Sequence, residues 1–234
     1  MELDWLHIAN RLQRFKDCHK GEQIVLICNG PSLNKTDFSH IRRKHTMGLN
    51  KILLGLTKYK FYPRYYVAIN EKVIEQSEAQ IKKLNCIRFL PPQPTSSSLQ
   101  ESAFTYWMKT DLLPRGFSTD LTSGIHQGWT VTHAALQIAY FMGYQRVLIV
   151  GMDHRYQYDG MPNEIKTLTG PDPNHFIDSY FQDCLWNNPD LNQSEESYSI
   201  ARHTYELDGR SIIDCTVDGA CKVFEKRSLA EVLP

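Results

Sequence analysis

The sequence has no excess of charge of either sign. Lys and Arg total 26, Asp and Glu total 26, and the formal net charge is zero. A chain so balanced exerts no global pull on nucleic acid or on an anionic membrane. It also lacks a run of about 18 apolar residues, so no membrane span is expected. No CxxC pair occurs among Cys18, Cys28, Cys86, Cys184, Cys215 and Cys221, which argues against a zinc site built from cysteine pairs. The thiols read as reduced and mostly buried, as in a cytoplasmic protein. The opening MELDWLHIANRLQRFKD is amphipathic and charged, unlike a secretion signal. Neither GxGxxG nor GxxxxGK[ST] is present, so neither a standard NAD site nor a P-loop is supported. No internal repeat is visible. With 41% hydrophobic and 22% charged residues, disorder is excluded and a soluble globular core is expected.

Apolar patterning predicts alternating strands and helices. Leu3 to His19 has Trp5, Ile8, Leu12 and Phe15 near helical spacing and ends near Gly21, giving an N-terminal helix over residues 1–20. Ile24–Cys28, Thr46–Asn50, Tyr65–Ile69, Cys86–Leu90, Arg146–Val150 and Ser211–Cys215 read as strands. Wholly apolar runs such as IVLIC and RVLIV suit the buried centre of a parallel sheet. Gly124 to Gly143 reads as one long buried helix, with Gly143 as its C-cap, and Ser194 to Leu207 as another, starting at Ser194 or Glu195. Leu229 to Leu233 reads as a terminal helical turn. PPQPTSSS is a surface loop. The polar and aromatic stretch 155–193 is too long for an ordinary connection and reads as a lid. The expected fold is α/β: a single Rossmann-like domain over 21–234, mostly parallel, with helices on both faces.

In such sheets ligands bind beyond the carboxyl ends of the strands. Four groups fall there or nearby. Asn29-Gly30-Pro31-Ser32 follows the first strand. Gly30 permits close backbone approach, Pro31 suits a first helical turn, and Ser32 with free amides could hold a phosphate. A plain Asn-Gly turn is the competing use. Asn50 and Asn70 close the next two strands. Thr122-Ser123-Gly124 precedes the expected buried helix and suits an anion, or simple N-capping. Gly151-Met152-Asp153-His154 ends the clearest strand. Asp153 and His154 suit base orientation, metal ligation or ribose binding, or else a turn and a surface histidine. Within the lid, Asp172-Pro173-Asn174-His175-Phe176 offers His175 for proton transfer among aromatics. His126, His133 and His203 read as structural. Arg42-Arg43-Lys44 and Lys82-Lys83 read as solvated faces rather than nucleic-acid sites.

In combination, ICNGPSL, MGLNKI, YVAIN, LTSG, GYQRVLIVGMDH and DPNHF resemble two related groups, from Gly21 to about Phe224. One is the bacterial sialyltransferases of glycosyltransferase family 42. The other is the family named after 6-hydroxymethylpterin pyrophosphokinase, which includes flagellin-glycosylation accessory factors. The resemblance implies a Rossmann-like domain that binds a CMP-linked sugar as donor substrate, with no tightly bound cofactor. It implies that Asn29, Gly30, Pro31 and Ser32 hold nucleotide phosphate and ribose, and that Asn50 and Asn70 contact phosphate or sugar. Thr122, Ser123 and Gly124 would face the sugar and its carboxylate, and Gly151 and Asp153 the nucleotide. A base would deprotonate an acceptor hydroxyl while tyrosines stabilise the leaving phosphate.

The sequence departs from the sialyltransferase pattern where the base is expected. If His175-Phe176 is the family's His-aromatic pair, that position falls near Ser179. The first phosphate-binding tyrosine falls at Arg155 or Tyr156, and Tyr158 is nearest the second. His175, His154 and Tyr156 are therefore the expected catalytic groups, with Arg155 a further cation for phosphate. The expected function is glycosyl transfer to a glycan or other hydroxyl acceptor. One alternative is a Mg²⁺-dependent diphosphokinase, with Asp153 and Asp172 as metal ligands. Another is a non-catalytic nucleotide-binding accessory protein. A homo-oligomer is compatible with all three.

Overall fold

The structure, a computed structural model, describes residues 3–233. The chain opens with α1 (Trp5–Gln13), capped by Asp4, whose side chain accepts from the His7 amide. Eight strands then form one sheet: β1 (Gln23–Ile27), β2 (His45–Leu49), β3 (Tyr65–Val67), β4 (Ile87–Leu90), β5 (Thr105–Trp107), β6 (Arg146–Val150) and, after a separate hairpin of β7 (Ile165–Thr167) and β8 (Leu185–Asn187), β9 (Ser211–Asp214) and β10 (Glu225–Lys226). Their order is β10-β9-β6-β1-β2-β3-β4-β5. Every pairing in this sheet is parallel, and β7 and β8 pair antiparallel. The single α/β domain with a parallel sheet expected from sequence is therefore present. No helix among the described residues is long and apolar enough to cross a membrane.

The chain runs outward from β1 to β5 and then crosses back to place β6 on the other side of β1. The register sets Ile27 beside both Gly48 of β2 and Val150 of β6. The direction of winding reverses here, which opens a crevice beyond the carboxyl ends of β1 and β6.

The sheet is covered by α3 (Glu71–Lys82), α4 (Val131–Phe141) and α5 (Leu191–Leu207), with short α2 (Leu56–Tyr59) and α6 (Leu229–Val232) at its margins. Thr132 to Phe141 are all buried, which explains why α4 reads as apolar on most faces. Gly143 follows it at φ +86°, the left-handed conformation of a helix end. The chain after α1 satisfies the end of α4: Asp17 donates to the Phe141 carbonyl at 3.0 Å, His19 to Met142 at 2.8 Å and Gly21 to Gly143 at 3.2 Å.

Several expectations need correction. The N-terminal helix stops at Gln13, and turns occupy 14–21; Met1 and Glu2 lie outside the described residues. The long helix expected from Gly124 begins at Val131. Gly124, Gly128 and Trp129 have φ of +109°, +60° and +57°, which no right-handed helix accommodates. His126 consequently precedes the helix. The helix expected from Ser194 begins at Leu191, because Asp190 caps it by accepting from the Gln193 amide. Strand β5 was not expected at all: three residues at the far side of the sheet carry too little pattern.

Candidate functional site

A cavity of about 470 Å³ occupies the crevice, within the size range of small-molecule sites. One floor is the loop after β1. The Gly30 amide donates to the Gly151 carbonyl at 2.8 Å and the Cys28 amide to Val150 at 2.9 Å, which stitches the ends of β1 and β6 together. A Cβ on Gly30 would sit on the Asp153 carboxylate and within 2.8 Å of the Gly151 carbonyl. Only glycine allows this approach. Gly151 has φ +72°, and a Cβ there would meet Leu33 at 2.6 Å.

The anion gripped by this loop is the protein's own. The Ser32 amide donates to Asp153 Oδ1 at 3.1 Å, and the Ser32 hydroxyl to Asp153 Oδ2 at 2.6 Å. Pro31 starts a 3-10 turn, Pro31–Lys35, directed at that carboxylate. Ser32, Pro31 and Asp153 thus brace the floor, while Cys28, Asn29, Gly30 and Gly151 line the cavity.

Asn29 Nδ2 donates to the Leu49 carbonyl at 3.0 Å, and its Oδ1 is buried with no partner among the described residues. Asn50 lines the cavity at φ +47°, with Oδ1 buried and likewise unpartnered among the described residues. Asn70 also lines it, but its Oδ1 caps α3 by accepting from the Lys72 and Val73 amides.

The opposite wall comes from the long 155–193 segment. Its turn at 172–176 is fastened to the floor: the Phe176 amide donates to the Asn29 carbonyl at 3.0 Å, and Asn34 Nδ2 to the Phe176 carbonyl at 3.1 Å. Asp172 accepts from the Asn174 amide at 2.8 Å and from His175 Nδ1 at 2.7 Å. The Asp172 side chain is wholly buried. Binding Nδ1–H to a carboxylate leaves Nε2 as the basic nitrogen. The His175 ring stacks on Tyr180 at 3.9 Å, with 3° between planes, so its orientation is set. Tyr180 is itself held by the Lys51 amide and ammonium. A side recess of about 140 Å³ shares Asn50, Asn70, Tyr156 and His175 with the main cavity. His175 and Tyr156 therefore border both chambers.

His154, at φ +54°, lines the cavity and pairs its Nε2 with Glu195 at 3.0 Å. The third wall is the start of α4. Thr130, which caps α4, lines the cavity with Val131 and Thr132. The positive end of a helix of eleven residues suits an anion. Tyr198 of α5 reaches Thr130 Oγ1 at 3.3 Å.

Thr122, Ser123 and Gly124 do not line this cavity. Leu121–Ser123 is a 3-10 turn capped by Asp120, and the Thr122 hydroxyl is spent on Asp120 at 2.7 Å. The helix terminus they were expected to form lies at Thr130. Arg155 and Ser179 are exposed and do not line the cavity either. Tyr158 donates to the Pro189 carbonyl at 3.0 Å instead. Sequence reasoning missed Trp129, Thr130, Thr132, Asn163, Asn188, Asp190 and Tyr198. Gly128-Trp129-Thr130 before an apolar run was the available signal for the first three.

Among the described residues, the lining of the main cavity contains no Lys or Arg, and Asp190 is its one carboxylate. That carboxylate is engaged by the Gln193 amide and by Asn163. The two carboxylates expected to hold Mg²⁺ face protein donors: Asp153 faces Ser32, and Asp172 faces His175 and Asn174. These residues do not make a Mg²⁺ cradle, which needs carboxylates open to the ion and its waters. Burial pushes the Cys28 thiol up to about 12, so it is an inert floor group.

No curated protein matches this sequence. In fold, the chain is similar to the MAf glycosyltransferase from Magnetospirillum magneticum AMB-1, with a TM-score of 0.49 and 10% identity. That likeness covers 98% of this chain and 39% of the other, so the chain spans about two fifths of that protein's length. The family model described as 6-hydroxymethylpterin diphosphokinase MptE-like matches residues 3–159, well over half of the sequence. The chain belongs to that MptE-like family.

Proposed function

We infer that the protein is a transferase that passes a sugar from a nucleotide-activated donor to a hydroxyl acceptor. The Asp172–His175 pair between the two chambers carries this reading. His175 Nε2 takes the proton of the acceptor hydroxyl in the side recess. The freed oxygen attacks the anomeric carbon of the donor in the main cavity, and the bond from that carbon to the phosphate oxygen breaks. The phosphate leaves with the electron pair toward the amides at the start of α4, where Thr130 and Thr132 stand. His154 and Tyr156 also line the cavity and add side-chain donors to it. A lining without Lys, Arg or free carboxylates supports a leaving phosphate stabilised by amides and neutral donors. The resemblance to the family 42 enzymes supports a cytidine monophosphate donor.

The family match over residues 3–159 favours a second reading, diphosphate transfer from ATP to a pterin alcohol. The same base would serve it. The engagement of Asp153 and Asp172 counts against its metal requirement.

Calorimetric titration with CMP, CDP, UDP, GDP and ATP, each with and without Mg²⁺, tests both. Metal-independent binding of CMP or another sugar nucleotide supports glycosyl transfer. Mg²⁺-dependent ATP binding with turnover of a hydroxymethylpterin supports the second reading. Failure of every nucleotide to bind removes both. Tight binding without turnover, unaffected by His175→Ala, would indicate an accessory nucleotide-binding role.

A further inference from the structure

The amino ends of the strands, opposite the cavity, carry a cluster that transfer chemistry does not use. His19 lies in the turns after α1, Glu22 immediately precedes β1, and His45 opens β2. Their ligand atoms, one from each side chain, all lie within 4.8 Å of one another. We propose that His19, Glu22 and His45 bind a divalent cation of the zinc class, which fastens the N-terminal segment to the amino edge of the sheet.

Glu22 Oε2 is 3.1 Å from His19 Nδ1 and 3.0 Å from His45 Nδ1. Tetrahedral zinc holds nitrogen and oxygen at roughly 2.0–2.1 Å, which sets its ligands about 3.3 Å apart. The Glu22 oxygen already stands within tenths of an ångström of that spacing from each imidazole, and the two imidazole nitrogens lie within 4.8 Å of each other. Two imidazoles and one carboxylate are a donor set suited to zinc or cobalt, unlike the all-oxygen shell of magnesium or calcium.

The surroundings orient the ligands. His19 Nε2 lies 2.6 Å from the Tyr65 hydroxyl, so its N–H can donate there while Nδ1 presents a lone pair to the ion. Its ring stacks on Tyr144 at 4.7 Å, with 16° between planes. The Tyr144 hydroxyl, 3.1 Å from His45 Nδ1, offers an oxygen beside the fourth position. The His19 amide is fixed to the end of α4 through Met142. Glu22 is half exposed and gives the ion a path from solvent. Arg64, which donates to the Tyr65 hydroxyl at 3.3 Å, is the opposing charge and limits affinity.

Protein stripped with a chelator and titrated with Zn²⁺, and separately with Co²⁺, tests this. One equivalent is expected to bind, Zn²⁺ to raise the melting temperature, and Co²⁺ to show the visible absorption of a tetrahedral site. Glu22→Gln, at a half-exposed position, is expected to weaken Zn²⁺ at least tenfold with an unchanged circular dichroism spectrum and unchanged nucleotide binding. His45→Gln is expected to do the same. No saturable binding would overturn the proposal, as would equal affinity in Glu22→Gln. Thiolate-to-cobalt charge-transfer bands would also overturn it, by assigning the ion to the exposed Cys18.

Discussion

His175 and Asp172 stand three residues apart in one turn, and their side chains meet at 2.7 Å with the carboxylate fully enclosed. The enclosure fixes the tautomer, and stacking on Tyr180 fixes the ring plane. If this pair supplies the base, Asp172→Asn preserves shape and removes the anion that orients the imidazole. Turnover is expected to fall about 10²–10⁴-fold, as is typical for loss of a positioned base. Nucleotide affinity, measured by titration, is expected to change little. A parallel loss of affinity would show that the pair only holds the 172–176 turn in place.

Gly30 is the contact point between the loop after β1 and the loop after β6. Gly30→Ala pushes a methyl group into the Asp153 carboxylate and the Gly151 carbonyl. Overpacking of this kind costs about 1–3 kcal/mol. The urea midpoint is expected to drop, together with nucleotide binding. A variant with unchanged stability would mean that the two loops separate easily.

The helix terminus at the cavity begins at Thr130, so if it receives the leaving phosphate two sets of hydroxyls should behave differently. Thr130→Ala removes the cap of α4, worth about 1 kcal/mol, and is expected to weaken nucleotide binding. Thr122→Ala and Ser123→Ala are expected to leave binding unchanged. Isothermal titration of the three variants distinguishes them, and weakening by Ser123→Ala would restore the assignment expected from sequence.

His133 is wholly buried on α4, with Nε2 at 2.8 Å from the Gly116 carbonyl, and burial pushes its pKa down to about 4. The unfolded chain takes up this proton near pH 6.5, whereas the folded chain resists it until about 4. Between those values the unfolded state binds more protons, so stability falls as pH falls. His133 alone contributes a loss of up to about 3 kcal/mol by pH 4. His19 and His45, lowered by burial as well, act in the same direction. Urea melts from pH 7 to pH 4 are expected to show this slope, and His133→Gln to flatten it. An equal slope in the variant would move the effect to other groups.

Much of the scaffold was readable from local pattern. The runs IVLIC and RVLIV became β1 and β6, adjacent strands inside the sheet, and the polar residues at their ends mark the crevice. The His175 turn was legible as a candidate because a proton-transfer residue stood among aromatics in an unusually long connection. Other features were not. GIHQGWTVTHAAL reads as one helix because only its glycines interrupt it, and left-handed backbone at 128–129 is invisible in composition. Ser32 reads as a phosphate ligand because free amides at a helix start attract any anion. Nothing near Ser32 in the chain announces that Asp153 will fill that place.

The sequence by itself determined which segments form strands or helices and which faces they bury, because apolar runs and helical spacing act between residues a few positions apart. Tertiary structure alone decided what faces the cavity. Ser32 meets Asp153 across 121 residues and Tyr198 meets Thr130 across 68. Contacts at such separations follow from how the sheet reverses its winding and how the helices pack on it, which no local stretch of residues encodes.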